Sequence, residues 1–217
     1  MEHRKILSPG PFDDRYLTAD FVAARLAAHP PGLAGPDGVA SDFTLNPDMQ
    51  PIGPIRPAAV LVPLIAHLDR LTVLLTQRTA HLARHAGQIS FPGGRVDAGD
   101  TDPISTALRE THEEVGLPPE RIRVLGELAL YTTVTGFAVT PIVGLIAPPL
   151  VITPDPYEVA EVFEVPLGPL VDPANRRIET RELPNGTRRF YVFEIEDRRI
   201  WGATAAMLVN LAAMLQP

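Results

Sequence analysis

The stretch from Gly87 to Leu117, GQISFPGGRVDAGDTDPISTALRETHEEVGL, constrains the fold more than any other part of this chain. It encodes a short helix with defined ends. Asp102 is placed to accept hydrogen bonds from the free amides of a first turn, Pro103 fits that turn, and Gly116 closes the helix. At roughly 100° per residue, Ile104, Ala107, Leu108, Thr111 and Val115 share one face, while Glu110, Glu113 and Glu114 gather on the other side. One face packs and the other presents carboxylates. Like charges at spacing i, i+3, i+4 repel one another unless a cation sits among them. By themselves the three glutamates would read as a solvated acidic surface. The preceding turn, Phe91-Pro92-Gly93-Gly94, where backbone carbonyls can approach a cation, shifts the reading to a metal site. Hard oxygen ligands suit magnesium or manganese better than zinc. Arg109, four residues before Glu113, can hold that acid or its neighbour in position.

Around this helix the chain reads as strands. Ala58 to Leu68 and Leu71 to Gln77 are apolar and β-branched, divided by Asp69-Arg70, and predict a hairpin or an adjacent pair. Pro63 argues against a central, fully paired strand there. Arg121 to Tyr131 and Phe137 to Ile146 follow, with Thr135-Gly136 as the turn between them. Pro148 to Pro156 is a proline-rich loop. Val159 to Val165, Arg176 to Glu182 and Arg188 to Glu196 predict further strands, the last two joined through Pro184-Asn185-Gly186. Thr18 caps a helix through Ala28, and Ala203 to Leu215 predicts a final helix that is mostly buried. Hairpins arranged around one central helix favour a mixed sheet over a doubly wound parallel one, so the expected class is an α/β sandwich.

A chain of 217 residues has room for one substantial core with an extension. Pro30 to Pro57 is rich in proline, glycine and aspartate, which divides the chain into an N-terminal helix and Pro/Gly-rich extension over 1–56 and a main domain over 57–217. A formal net charge of -7 argues against nucleic acid as a non-specific partner. With no cysteine, any metal must take oxygen or imidazole ligands. The first residues do not form a signal peptide and no apolar run reaches bilayer length, so the expectation is a cytoplasmic protein with no membrane partner. A homodimer is left open.

These residues together resemble the Nudix box: Gly94, Asp100, Arg109-Glu110, Glu113-Glu114 and Gly116 stand in its order. Asp100 occupies a place where the general box has glutamate, and eight residues rather than seven separate it from Arg109. The resemblance implies a Nudix-type α/β/α sandwich and hydrolysis of a diphosphate linked to another group. It implies Mg²⁺ or Mn²⁺ bound by Glu110, Glu113, Glu114 and Gly94, with Arg109 in the catalytic set.

Upstream, Leu74 to Val96 contains Arg78, Arg84, Arg95, His81 and His85 and no acidic residue, a local electropositive segment suited to an anionic ligand. Leu74 to Gly94, LLTQRTAHLARHAGQISFPGG, is similar to the extended signature of the coenzyme A pyrophosphatase branch of Nudix hydrolases. Leu74-Leu75-Thr76, Arg78, Gly87 and Phe91 to Gly94 stand in the expected places. Thr79 replaces a usual serine or alanine, and Ala83 a usual arginine, with Arg84 beside it. Tyr131 to Val143, Glu158 to Leu167 and Ile200 to Ala205 are similar to segments of the same branch. The likeness implies a small-molecule substrate, coenzyme A, cleaved to 3',5'-ADP and 4'-phosphopantetheine. It further implies Arg78, Arg84 and Arg95 as phosphate-binding residues and Glu158 or Glu161 as a distal acid. The alternatives are a Nudix pyrophosphatase for NADH or ADP-ribose and, from another class, a catalytically inactive Nudix ligand-binding module. The complete set of Arg109, Glu110, Glu113 and Glu114 argues against the module.

Overall fold

A computed structural model describes residues 16–28, 38–82, 85–183 and 186–216. The chain opens with α1 (Ala19–Ala28), started by Thr18, whose Oγ1 accepts the Phe21 amide N–H at 3.2 Å. A single helical turn, α2 (Asp42–Leu45), precedes the long strand β1 (Arg56–Ala66) and β2 (Leu71–Arg78). Two short strands, β3 (Ile89–Ser90) and β4 (Gly93–Arg95), lead into α3 (Pro103–Val115). Then come β5 (Ile122–Glu127), β6 (Tyr131–Thr132), β7 (Phe137–Ile146), β8 (Val159–Pro166) and α4 (Leu167–Val171). The chain finishes with β9 (Arg176–Leu183), β10 (Gly186–Ile195), β11 (Arg198–Trp201) and α5 (Ala203–Leu215).

The main sheet is mixed, as expected. Its spine runs β3-β2-β1-β7-β5, with β4 also paired to β1, β6 to β7 and β8 to β2. β1 and β7 run parallel from Arg56↔Phe137 to Ile65↔Ile146, and every other pairing is antiparallel. A second, three-stranded sheet has the order β11-β10-β9. Side chains that alternate along β1 and β7 divide into two cores. Ala59, Leu61, Ile65, Ile142 and Ile146 meet Ala107 and Val115 of α3. Ala58, Val62, Leu64, Val139 and Val143 meet α5 and α1 on the opposite face. The result is the α/β/α sandwich, and every residue of α5 after Ala203 is buried.

Two local expectations need correction. β1 is a central strand despite Pro63. The Leu61 amide N–H points to the Pro92 carbonyl, so the missing N–H of Pro63, two residues on, faces the same side. That side is where pairing passes from β4 (at 58–60) to β2 (at 64–66), and no ladder bond is lost there. Arg121 to Tyr131 is two strands rather than one, β5 and β6, separated at Leu128, where the amide turns to the Pro141 carbonyl. β11 and α4 were not foreseen, being too short to show a period. In the predicted turn after β9, Pro184 and Asn185 lie outside the described residues.

The ends of α3 form as their residues dictate. Asp102 Oδ1 accepts the Ser105 amide at 2.7 Å while Ser105 Oγ accepts the Asp102 amide at 3.1 Å, a reciprocal cap. Gly116 takes the left-handed conformation at φ 71°, and a side chain there would press on Thr153.

Candidate active site

α3 does not display its three glutamates on one solvated side. Glu110 and Glu114 lie at i+3 and i+7 from the buried Ala107, on the edge of the packed stripe, and Glu113 falls away from it. The Glu114 side chain is therefore only 7% exposed and that of Glu113 59% exposed. The Gly93 amide donates to Glu114 Oε2 at 3.2 Å. Glu110 lies directly against Gly94, where a Cβ atom would overlap its carboxylate. The glycine pair is thus a seat for two carboxylates.

Burial sets the electrostatics of that seat. It pushes Glu114 up to about 7, with the Gly93 amide and Arg78 opposing it and the negative charges of Glu158 and Glu110 adding to it. Glu110 is also raised, again chiefly by burial and against the pull of Arg109. Arg78 bridges two of these acids, Nη1 lying 3.5 Å from Glu114 Oε1 and Nη2 3.6 Å from Glu158 Oε2. Arg78 is shared by Glu114 and Glu158 and Arg109 by Glu110, Glu113 and Asp100, so two guanidinium groups face five carboxylates and negative charge is left uncompensated.

Arg109 holds the helix acids in place. Its Nη1 donates to Glu110 Oε1 at 3.0 Å and Glu113 Oε2 at 3.1 Å. Asp100 anchors it from behind through two bonds, Nε to Oδ1 at 3.0 Å and Nη2 to Oδ2 at 2.9 Å. That guanidinium, with the Asp97 amide and Thr106 hydroxyl, holds the Asp100 carboxyl far below its ordinary range. Sequence reasoning placed Asp100 in the box but gave it no partner, and that partner, Arg109, lies nine positions on.

A cavity of about 490 Å³ opens beside these groups. Arg78, Arg95, Gly93, Gly94, Glu110 and Glu158 reach its wall. So do groups that sequence reasoning missed: Asp42, Phe137, Arg188, Trp201 and Met207. No spacing links these residues, since they come from five elements or their edges. His85 lines the cavity and binds Gln88 through Nδ1 at 2.8 Å, whereas His81 packs on Tyr157 with ring centres 4.9 Å apart. Glu161 is elsewhere, gripped by Arg198 at 2.6 and 2.7 Å, which holds its carboxyl below the usual range. Arg84 and Ala83 lie outside the described residues.

As placed, no three acidic or imidazole groups among the described residues converge on one point. The donor chemistry nonetheless fits a hard divalent cation: carboxylates raised chiefly by burial are the groups such an ion would return to their charged form.

The chain matches the NUDIX domain family over residues 55–176. It belongs to the Nudix hydrolases. It is 44% identical over 171 residues to the uncharacterized Nudix hydrolase NudL of Pectobacterium atrosepticum, covering 79% of this chain and 88% of the relative. To the protein of the same name in Escherichia coli it is 40% identical over 160 residues, covering 74% and 83%. Among solved structures, it is similar to an Ap4A hydrolase of C. elegans in a binary complex, at a TM-score of 0.44 and 24% identity, over 52% of this chain and 81% of that one. As a Nudix hydrolase it acts on pyrophosphate-containing substrates, and enzymes of this family generally use divalent metal ions. No helix among the described residues is long and apolar enough to cross a membrane.

Proposed function

We propose that this Nudix hydrolase cleaves the pyrophosphate bond of coenzyme A or an acyl derivative, giving 3',5'-ADP and the corresponding 4'-phosphopantetheine. The observation that carries the reading is the mixed cavity, of a size usual for small-molecule sites. It offers Arg78 and Glu110 for a charged diphosphate, and Val139, Trp201 and Met207 for a long uncharged arm. The likeness of Leu74 to Gly94 to the coenzyme A branch supports the same substrate. The reading takes residues 57–217 as the catalytic domain and 1–56 as an extension.

Glu110, Glu113, Glu114 and Gly94 would hold Mg²⁺ or Mn²⁺, which when bound neutralises pyrophosphate oxygens and lowers the pKa of a water. The remaining work belongs to side chains. Arg109, fixed by Asp100, orients Glu110 and Glu113 before substrate arrives, so no free energy is spent ordering them during the reaction. Arg78 releases the Glu114 and Glu158 carboxylates as it turns to a phosphate oxygen, for which its planar fork is suited. Glu158 serves as the distal acid.

Turnover of coenzyme A, acyl-CoA, NADH, ADP-ribose and deoxynucleoside triphosphates with Mg²⁺ or Mn²⁺, read by product mass, tests the proposal. The expected result is preferential release of 3',5'-ADP from the CoA substrates. A preference for any compound without the pantetheine arm would sink it.

A further inference from the structure

Two arginines converge on one aromatic ring beside the cavity. The guanidinium carbon of Arg56 lies 4.4 Å from the centre of the Phe137 ring, and that of Arg95 lies 5.6 Å from it. Strand register explains the meeting. Arg56 stands opposite Phe137, and Ala58 stands opposite both Arg95 and Val139. Paired residues and alternate residues share a face, so all three side chains leave the sheet on the face that bears Ala58, Val60 and Val139, which line the cavity.

The arrangement is fixed by backbone. The Arg56 amide donates to the Gly136 carbonyl at 2.9 Å and the Val96 amide to the Pro57 carbonyl at 3.2 Å. The Arg95 carbonyl accepts Arg109 Nη2 at 3.1 Å, which ties this pair to the acidic helix. Arg78, Arg109 and Arg198 each meet a carboxylate. Among the described residues, Arg56 and Arg95 meet none. Two like charges drawn to one ring repel each other, and a shared anion converts that repulsion into attraction.

We propose that Arg56 and Arg95, stacked on Phe137, form a subsite for a phosphate monoester dianion, the 3'-phosphate of the substrate, separate from the groups that meet the pyrophosphate. The inference rests on the coenzyme A reading and extends it to the feature that NADH and ADP-ribose lack. A terminal phosphate carries close to two charges at neutral pH and three acceptor oxygens, which matches two guanidinium forks rather than one.

The test compares coenzyme A with 3'-dephospho-CoA, which differs from it by that phosphate alone, on the full chain and on Arg56→Gln and Arg95→Gln. A second arm measures the affinities of 3',5'-ADP and 5'-AMP by calorimetry. Loss of one charge-assisted contact lowers kcat/KM for coenzyme A by about 10- to 100-fold, and for dephospho-CoA by less than about threefold. Affinity for 3',5'-ADP falls in parallel, and Arg→Lys restores part of it. Equal losses on both substrates would assign the arginines to the pyrophosphate and overturn the subsite. So would a wild-type enzyme indifferent to the 3'-phosphate. If neither coenzyme is turned over, the function reading fails by itself, and the subsite is decided by whether 3',5'-ADP binds more tightly than 5'-AMP and loses that advantage in the variants.

Discussion

Replacing Gly94 by alanine separates the position of the Glu110 carboxylate from the stability of the fold. The φ angle of Gly94 lies outside the left-handed region, so alanine meets no backbone strain there. Its Cβ would overlap the Glu110 carboxylate, which must retreat by about 1 Å to reach ordinary van der Waals contact. The obstructed group is the far end of a flexible side chain that Arg109 holds at 3.0 Å, so it moves at little cost in stability. A displacement of about 1 Å at a reacting centre costs on the order of 100-fold in rate, or about 2.7 kcal/mol of transition-state stabilisation. We therefore expect kcat/KM for coenzyme A to fall about 100-fold while the urea midpoint shifts by less than the equivalent of about 1 kcal/mol. Glu110→Asp withdraws the carboxylate by one bond, about 1.5 Å, and so should abolish the further effect of Gly94→Ala. Steady-state kinetics on the double-mutant cycle measures that coupling. Activity within about threefold of wild type in Gly94→Ala, or strict additivity in the cycle, would refute the idea that this glycine exists to seat Glu110.

Asp100→Asn removes the charge that fixes Arg109 from behind and should lower kcat about 10- to 100-fold with little change in KM, since Arg109 positions acids rather than substrate. Glu158→Gln should lower turnover at least about tenfold, whereas Glu161→Gln, altering a carboxylate gripped by Arg198 away from the cavity, should change it less than about twofold in the same assay. Glu114, pushed up to about 7 from an ordinary 4.5, binds its proton more tightly folded than unfolded. Its contribution is therefore fully present below about pH 4.5 and is lost as pH rises through about 7, amounting to at most about 3 kcal/mol. Urea unfolding in EDTA at pH 5 and pH 8 should show this decline, Glu114→Gln should flatten it, and added Mg²⁺ should restore stability at the higher pH.

How far this was legible in sequence depends on the range of the interactions. The bounds of α3 depend on contacts within a few positions, Asp102 to Ser105 and Gly116 to its own helix, and these read directly from residue types. β7 and α5 read equally well because each carries a long apolar run. Pro63 misled because its acceptability depends on which neighbour lies beside it, a matter of pairing that no local rule contains. The same limit applied on α3. Periodicity placed Glu113 and Glu114 together, yet the sheet beneath buried one and left the other exposed, because β4 and its glycine pair cover part of the helix flank. Arg56 and Phe137 left no trace as site residues, since they meet through strand register, and neither did Asp42 and Arg188, whose ion pair joins α2 to β10 across 146 positions.

The division between reaction and substrate follows from that geometry. The acids descend from α3 and its glycine seat, inside the span 55–176 that matches the family. Asp42, Arg188, Trp201 and Met207, which form another part of the cavity wall, all lie outside that span. Arg188 is already committed there: its Nη2 donates to Asp42 Oδ2 at 3.0 Å, and Asp42 also accepts the Tyr131 hydroxyl and the Val134 amide, each at 2.8 Å. The Arg188–Asp42 pair adds little net charge beside the aromatic and thioether surfaces, although the buried Arg188 Nε has no hydrogen-bond partner among the described residues. A ligand in the cavity thus meets a strongly polarised part of the wall and a nearly neutral part. A second diphosphate or a charged sugar acid would lose hydration at that wall without recovering it, whereas an amide-linked, uncharged arm would lose little. Substrate choice in this enzyme is accordingly expected to respond to substitutions at Trp201 and Met207, and the rate of the chemical step to substitutions on α3.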